Sequence, residues 1–382
     1  MSDVYVVGVD MTKFQKAGTG PNVDVLGSIA ALGALDDCGL KIQDMQAFYC
    51  GNLGQASGMV GQRILQQIGQ TGIPVVNVAN ACATGATAFR EAWTAIKAGL
   101  YDTVLAVGVE KMSSGLLGGG GGGVGISREG LFGSGTMPAV FGEAGMEHSR
   151  KYGTTFEHFA KVSVKNHHHS TMNPKAMLQK EFSLADVMNA EMIAYPNTKF
   201  MCSINVDGSA AAVLCSEKKV RELGLMKRAV KVRASIMTSD PWQERDLVMP
   251  DVNSCTRLAA KQAYEMAGIG AKDINLIELH DCFAMAEILH YENLGICKDG
   301  EAGMMIDTGA VALGGRIPVN VSGGLLSKGH PLGATGIANI YEVCTHLRGE
   351  AGKRQVQGAR FGMTHVIGLG SACGIHILEK AA

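Results

Sequence analysis

Four short stretches carry side chains able to do covalent chemistry at a carbonyl. In VNVANACATGATAFREAW (76–93), Cys82 stands where a β-branched run gives way to helical spacing. A cysteine at such a junction lies beside unpaired backbone N–H groups and the positive end of a helix dipole. Both favour thiolate over a thiol whose free pKa is about 8.5. Small neighbours would let a substrate approach, although a buried structural cysteine fits the same pattern. In SGGLLSKGHPLGATG (322–336), His330 lies in a Gly-rich turn stiffened by Pro331, and could supply the base a thiol nucleophile needs. Read by itself, it is more often structural. In ELHDCFAMAEI (278–288), His280, Asp281 and Cys282 end an apolar strand, where α/β folds hold their ligands. The plainer reading there makes Asp281 a helix N-cap and His280 incidental. VIGLGSACGIHILE (366–379) reads as a Gly-rich turn between two strands, with backbone N–H groups able to line an oxyanion hole.

The elements that must position these groups alternate along the chain. VYVVGVD is strand-like, VDVLGSIAALGALDDC has helical spacing up to Gly39, and AFYCG and VVNVAN are strand-like again. Ala86, Phe89, Trp93 and Ile96 then recur at helical spacing, and TVLAVGVE is another strand. This order predicts an α/β fold with a mixed or parallel sheet. The second half repeats it. CGLKIQDMQAFYCGN (38–52) aligns without a gap on AGIGAKDINLIELHD (267–281), and 74–88 matches 317–336 with a longer turn. Two matches in the same order point to a duplicated α/β unit, although αβ loops in general resemble one another. If the copies pack about a pseudo-twofold axis, their strand-to-helix junctions face each other and His330 approaches Cys82. The expected division is 1–113, completed by 201–230, then an inserted loop region at 114–200, then 231–382. The insertion opens on Gly118–Gly123, read as a flexible loop and not a P-loop, since no GK[ST] follows. NHHHS (166–170) reads as solvated or hydrogen-bonded loop histidines, because adjacent residues do not share a helix face and no acidic or Cys cluster accompanies them.

Bulk properties close off other classes. Lys plus Arg (34) nearly balances Asp plus Glu (35), and no basic tract with interleaved aromatics occurs, so no nucleic-acid partner is expected. Ten cysteines without a CxxC pair suit a reducing compartment rather than a disulfide framework or zinc ribbon. MSDVYVVGVD has no signal-peptide pattern, no apolar run is long enough to span a bilayer, and EKAA is not a peroxisomal address. A cytoplasmic location is the expectation.

Together, CATG after a strand, GHPLGATG, HDCF and the C-terminal Gly-rich strand turn resemble a thiolase. HDCF, with EHFAKVSVKNHHHS and LRGEAGKRQVQGA, is similar to the thiolase domain of sterol carrier protein x and its bacterial lipid-transfer relatives. The resemblance runs nearly end to end, and no sterol-carrier domain follows it in this sequence. It implies duplicated halves in a five-layer αβαβα arrangement with an inserted loop domain. Carried over by position, Cys82 is the acyl-accepting nucleophile, His330 activates it, and His280 helps hold the thioester oxygen. The N–H groups of Cys82 and Gly370 form an oxyanion hole. Mainstream thiolases carry a second catalytic Cys in a CxG motif where this chain has Gly368; Cys373 is near but out of register, and Cys282 is the implied acid/base.

The resemblance further implies CoA-dependent cleavage of a 3-oxoacyl-CoA, or its reverse, with coenzyme A as substrate and no permanently bound cofactor or metal. A homodimer or homotetramer goes with it. A decarboxylating ketoacyl synthase, an archaeal-type acetoacetyl-CoA thiolase, a steroid side-chain retro-aldolase and a non-catalytic acyl-CoA carrier are the competing readings. An HDAF-like motif would mark the archaeal type, and loss of the nucleophile the retro-aldolase.

Overall fold

The structure is a computed structural model that describes residues 2–112, 136–241, 250–369 and 371–381. The Gly118–Gly123 run and Gly370 therefore lie outside the described residues.

The first half runs β1 (Val4–Met11), β2 (Gln15–Lys16), α1 (Val23–Cys38), β3 (Ala47–Gly51), α2 (Val60–Ile68), β4 (Val75–Val78), α3 (Thr84–Lys97) and β5 (Thr103–Glu110). Next come α4 (Met137–Tyr152), α5 (Phe156–Ser170), α6 (Leu184–Met188) and the hairpin β6 (Met192–Ala194) and β7 (Asn197–Thr198). β8 (Val206–Ser216) and α7 (Glu217–Glu222) return to the first sheet region. The second half holds β9 (Val230–Thr238), α8 (Pro250–Ala267), β10 (Leu276–Glu278), α9 (Ala284–Asn293), α10 (Ala302–Asp307), α11 (Gly324–Ser327), α12 (Thr335–Arg348), β11 (Phe361–Gly368) and β12 (Ala372–Lys380).

Nine strands lie in the order β10-β11-β12-β9-β1-β8-β5-β3-β4, with β2 attached to β8. Read from its centre, this order is a palindrome. β1 and β9 meet across only two residue pairs, Tyr5 with Lys231 and Val6 with Val230. Outward from them, β8 matches β12, β5 matches β11 and β3 matches β10, and the last of these is the pairing the gapless alignment of 38–52 on 267–281 predicts. The helices preceding β3 and β10 even end alike, at Gly39 (φ 68) and Gly268 (φ 69), where a left-handed residue closes the turn without a Cβ penalty.

α3 and α12 pack on each other between the two halves of the sheet, α1 and α2 cover one outer face, and α8 and α9 cover the other, giving five layers. The buried strands explain the near-continuous apolar runs: β5, β8 and β11 have every residue buried. α3 and α12 can come so close because glycines face each other. A Cβ on Gly85 would meet Gly333 O at 2.8 Å, and one on Gly336 would meet Ala86 N at 2.2 Å.

The inserted segment crosses to the other half. Phe141 and Phe159 share a core with Phe283, Met285 and Tyr291 of the α9 region. The NHHHS reading is corrected here. These residues form the last turn of α5, which Thr155 starts by accepting from the His158 N–H. At helical spacing the three imidazoles diverge: His168 is exposed against Glu181 (2.8 Å), whereas His167 and His169 are buried. His169 joins Asn320 O (3.0 Å) and Leu313 N (3.1 Å), and His167 packs edge-on to Phe182.

Candidate active site

Cys82 occupies a tight elbow between β4 and α3. Ala81 before it adopts φ 47, a left-handed conformation that costs a β-carbon residue energy and recurs at functional turns. Thr84, at the first turn of α3, fixes the elbow. Its hydroxyl donates to Ala81 O (2.6 Å) and accepts from Asn80 N (2.8 Å), while Ala83 N donates to Asn80 O (3.0 Å). The N–H groups of Ala83 and Thr84 are thus spent on the turn and not turned to the thiol.

The expectation of an acidified cysteine is corrected accordingly. Burial pushes the Cys82 thiol up to about 12, the nearby Glu110 carboxyl adds to the rise, and the residue's own N–H opposes it only weakly. Cys82 rests as a neutral thiol, which would have to give up its proton to act as a nucleophile.

Two imidazoles stand opposite it. The Cys82 Sγ and a ring nitrogen of each of His280 and His330 all lie within 4.8 Å of one another. The two imidazoles meet edge to face, with centroids 5.0 Å apart at 81°. His330 Nδ1 is 2.8 Å from Thr335 Oγ1, and that hydroxyl donates to Pro331 O (3.0 Å). With its only proton committed, the hydroxyl accepts from Nδ1–H, so Nε2 carries the lone pair. Nε2 is buried and has no partner among the described residues. Burial holds His330 down to about 3 and His280 well below the ordinary histidine value, so both rings are neutral at pH 7. Thr335 and Thr84 begin the matching helices of the two copies, and each secures the reactive turn just ahead of it.

Cys282 is buried beside them, its thiol raised first by burial and then by Cys82 and Asp281. Asp281 is not the N-cap of α9, where Phe283 stands. It caps α11 instead, accepting from Leu325 N (2.7 Å) and Leu326 N (3.4 Å), with Asn166 Nδ2 at 2.8 Å. Cys373 points away from Cys82. It sits beside Cys255 of α8, whereas its neighbour Ala372 faces Ala83 and Ala86, as strand alternation demands. Gly368 touches the elbow, where a Cβ would lie 2.7 Å from Asn80 O.

Three supports carry no signature that a reading of residue types could find. Segment 202–204 threads between the two reactive turns: Ser203 N donates to Cys282 O (2.9 Å), and Ile204 O accepts from His330 N (2.8 Å). The His280 N–H donates to His365 Nδ1 (3.4 Å), and His365 lies against His290 with centroids 4.2 Å apart. Glu110, at the end of β5, accepts from Leu53 N (3.0 Å), Gly54 N (2.9 Å), Asn52 Nδ2 (3.1 Å) and Gly333 N (3.0 Å). One carboxyl thereby ties a turn of the first half to the His330 turn of the second.

Residues 4–191 match the family model described as the thiolase N-terminal domain, and 239–380 match the thiolase C-terminal domain-like model. The chain is 42% identical over 385 residues to sterol carrier protein 2 of Oryctolagus cuniculus, covering 97% of this chain and 70% of that protein. The chain belongs to the thiolase family. An acetyl-CoA acetyltransferase of Methanothermobacter thermautotrophicus is 39% identical over 389 residues, covering all of both thiolase chains. Among solved structures, the one titled "Ltp2-ChsH2(DUF35) aldolase" overlays with TM-score 0.84 at 23% identity, covering 99% of this chain and 98% of its own, and shows the fold. Thiolase-type acyl transfer is the chemistry of this family, and the thiolase fold accounts for the convergence of the two junctions. Among the described residues no helix is long and apolar enough to cross a membrane.

Proposed function

We propose that this thiolase cleaves 3-oxoacyl-CoA with CoA, or runs the reverse condensation, through an acyl group on Cys82. The reading rests on one observation: the Cys82 thiol and the neutral His280 and His330 rings meet beside Cys282, with His330 Nε2 unpartnered.

In the forward direction, Cys82 gives its proton to His330 Nε2 and its sulfur bonds to the 3-oxo carbon. The Cys82 N–H donates to the oxygen that becomes negative; the second donor of the expected pair, Gly370, lies outside the described residues. The Cα–Cβ bond breaks, leaving the acyl group on Cys82 and an acyl-CoA enolate. His280 and protonated His330 donate to the enolate oxygen, and Cys282 gives its proton to the carbon. A second CoA thiol then returns a proton to Cys282, its sulfur takes the acyl group, and the released Cys82 thiolate takes back the proton held on His330, so the kinetics are ping-pong. Each residue ends in the protonation state it began with. In this second half one thioester is exchanged for another, so the acyl-enzyme and the acyl-CoA it yields are nearly isoenergetic, which suits a cysteine better than a serine.

The retained nucleophile favours this reading over the retro-aldolase, and Cys282 favours it over the HDAF-type enzyme. An oligomer fits as well: among the described residues β4 ends the sheet with one edge unpaired, and Val76 is 42% exposed. The test is CoA-dependent cleavage of straight, α-methyl and sterol-derived 3-oxoacyl-CoAs, with mass spectrometry of the trapped acyl-enzyme. Acylation at Cys82 is expected and is lost in Cys82→Ala, whereas Cys282→Ala loses carbon–carbon cleavage while acetyl-CoA still acylates its Cys82. A chain that binds acyl-CoA yet never acylates would be a carrier.

A further inference from the structure

The cluster that does the proposed chemistry also has the make-up of a metal-ligand set. It offers one thiol sulfur and two imidazole nitrogens, a soft and borderline combination that suits Zn²⁺ and its thiophilic relatives. Ligand atoms around a tetrahedral zinc lie roughly 3.5 Å apart. The three here lie within 4.8 Å, so a modest side-chain rotation closes the set.

Two further features point the same way. His330 Nε2 and His280 Nδ1 are buried with no hydrogen-bond partner among the described residues, in a protein interior where such groups are normally satisfied. His330 also carries the outer-shell support typical of a ligating histidine, since Thr335 Oγ1 holds its other nitrogen at 2.8 Å. Among the described residues neither His280 Nδ1 nor His330 Nε2 has a carboxylate on it that a cation would have to displace. Cys82 as a residue is only partly buried, unlike the two histidines.

We propose that Cys82, His280 and His330 bind one Zn²⁺ or similar thiophilic divalent cation in the resting chain, in competition with acylation of Cys82. On binding, the Cys82 S–H bond breaks, its proton passes to solvent, and the sulfur lone pair forms the metal–sulfur bond. No electron is transferred. The fourth position stays open to water or a substrate thiol. The metal-bound form is a reversibly silenced state in which the thiol is shielded from alkylation and oxidation until a chelator or a stronger thiol removes the ion.

The experiment uses the full chain, stripped with a chelator, in a Cys297→Ser background that removes the other partly accessible thiol. Co²⁺ is titrated in, and the thiolate-to-cobalt charge-transfer absorption is read together with proton release. One Co²⁺ per chain is expected, with one proton released and displacement by Zn²⁺. Prior alkylation of Cys82 with iodoacetamide abolishes the band, as does Cys82→Ser. His280→Ala and His330→Ala each weaken binding by at least about tenfold, the lower end of what losing even an outer-shell partner costs. Alkylated parent protein serves if Cys82→Ser does not fold. No band, a band that survives alkylation, or a band indifferent to both histidine variants overturns the proposal. None of these readouts needs thioester turnover. A chain that binds cobalt but never acylates refutes only the proposed function, and one that acylates without binding cobalt refutes only this site.

Discussion

Thr335→Val tests the geometry of the proposed base, His330, with almost no change in side-chain volume. The Thr335 hydroxyl lies 2.8 Å from His330 Nδ1 and gives its own proton to Pro331 O, which is what leaves the lone pair on Nε2. Valine removes that acceptor. Either Nδ1–H stays buried and unpaired, or the ring shifts its proton to Nε2 and turns a donor, not a lone pair, toward the Cys82 thiol. Leaving one buried donor unsatisfied costs about 1–3 kcal/mol. At 1.36 kcal/mol per decade that is roughly 5- to 150-fold in the population of the competent tautomer. Acylation of Cys82 by acetyl-CoA, followed by rapid quench and mass spectrometry, is therefore expected to slow about 10- to 100-fold. Thr335→Ser, which keeps the hydroxyl, recovers most of the rate. Parent-like acylation by a Thr335→Val protein that melts normally would show that His330 needs no orienting partner, and the tautomer argument would fail.

Other consequences follow from the same residues. Because burial lifts the Cys82 thiol to about 12 and lowers His330 to about 3, both stay neutral between those limits. Acylation measured by stopped flow should be flat from about pH 5 to 9, and a rise centred near the free-thiol value of about 8.5 would contradict the neutral pair. Iodoacetamide should label Cys82 first among the ten cysteines, and acetyl-CoA should block it; peptide mapping reads this out. Gly368→Cys, which places a thiol where mainstream thiolases carry one, should lower stability by about 1–3 kcal/mol in chemical denaturation, as overpacking does. It should not restore cleavage to Cys282→Ala, since the new Cβ would press on the elbow at Asn80 O. If copies pair through β4 as proposed, Val76→Lys there should shift them toward monomer in sedimentation velocity, with acylation of the isolated chain unharmed.

The sequence was most legible where a residue's own type sets the local backbone. β-branched runs made the strands and glycines ended the helices. The gapless match of 38–52 on 267–281 was enough to place β3 and β10 as counterparts. That duplication implied that the Cys82 and His330 junctions meet. It was least legible where a partner is distant and is a backbone group. Asp281 looked like a cap for the helix that follows it, yet it caps α11 across 44 residues. Glu110 ends a strand with nothing to mark it, yet it holds Gly333 across 223 residues. NHHHS was missed as helix because histidine is a middling helix former, and what builds α5 is the Thr155 cap and packing on α9. The thiol acidity was misjudged for a related reason: the turn consumes the N–H groups that a helix start would otherwise offer.

The glycine crossing of α3 and α12 behaves as a hinge pin without play. Gly85, Gly108, Gly333 and Gly336 leave no gap the width of a methyl group between the two copies. A single alanine at any of them would press its β-carbon on backbone of the other copy, so one side would have to give way. The spacing between sulfur and ring is therefore governed by four residues that carry no side chain at all.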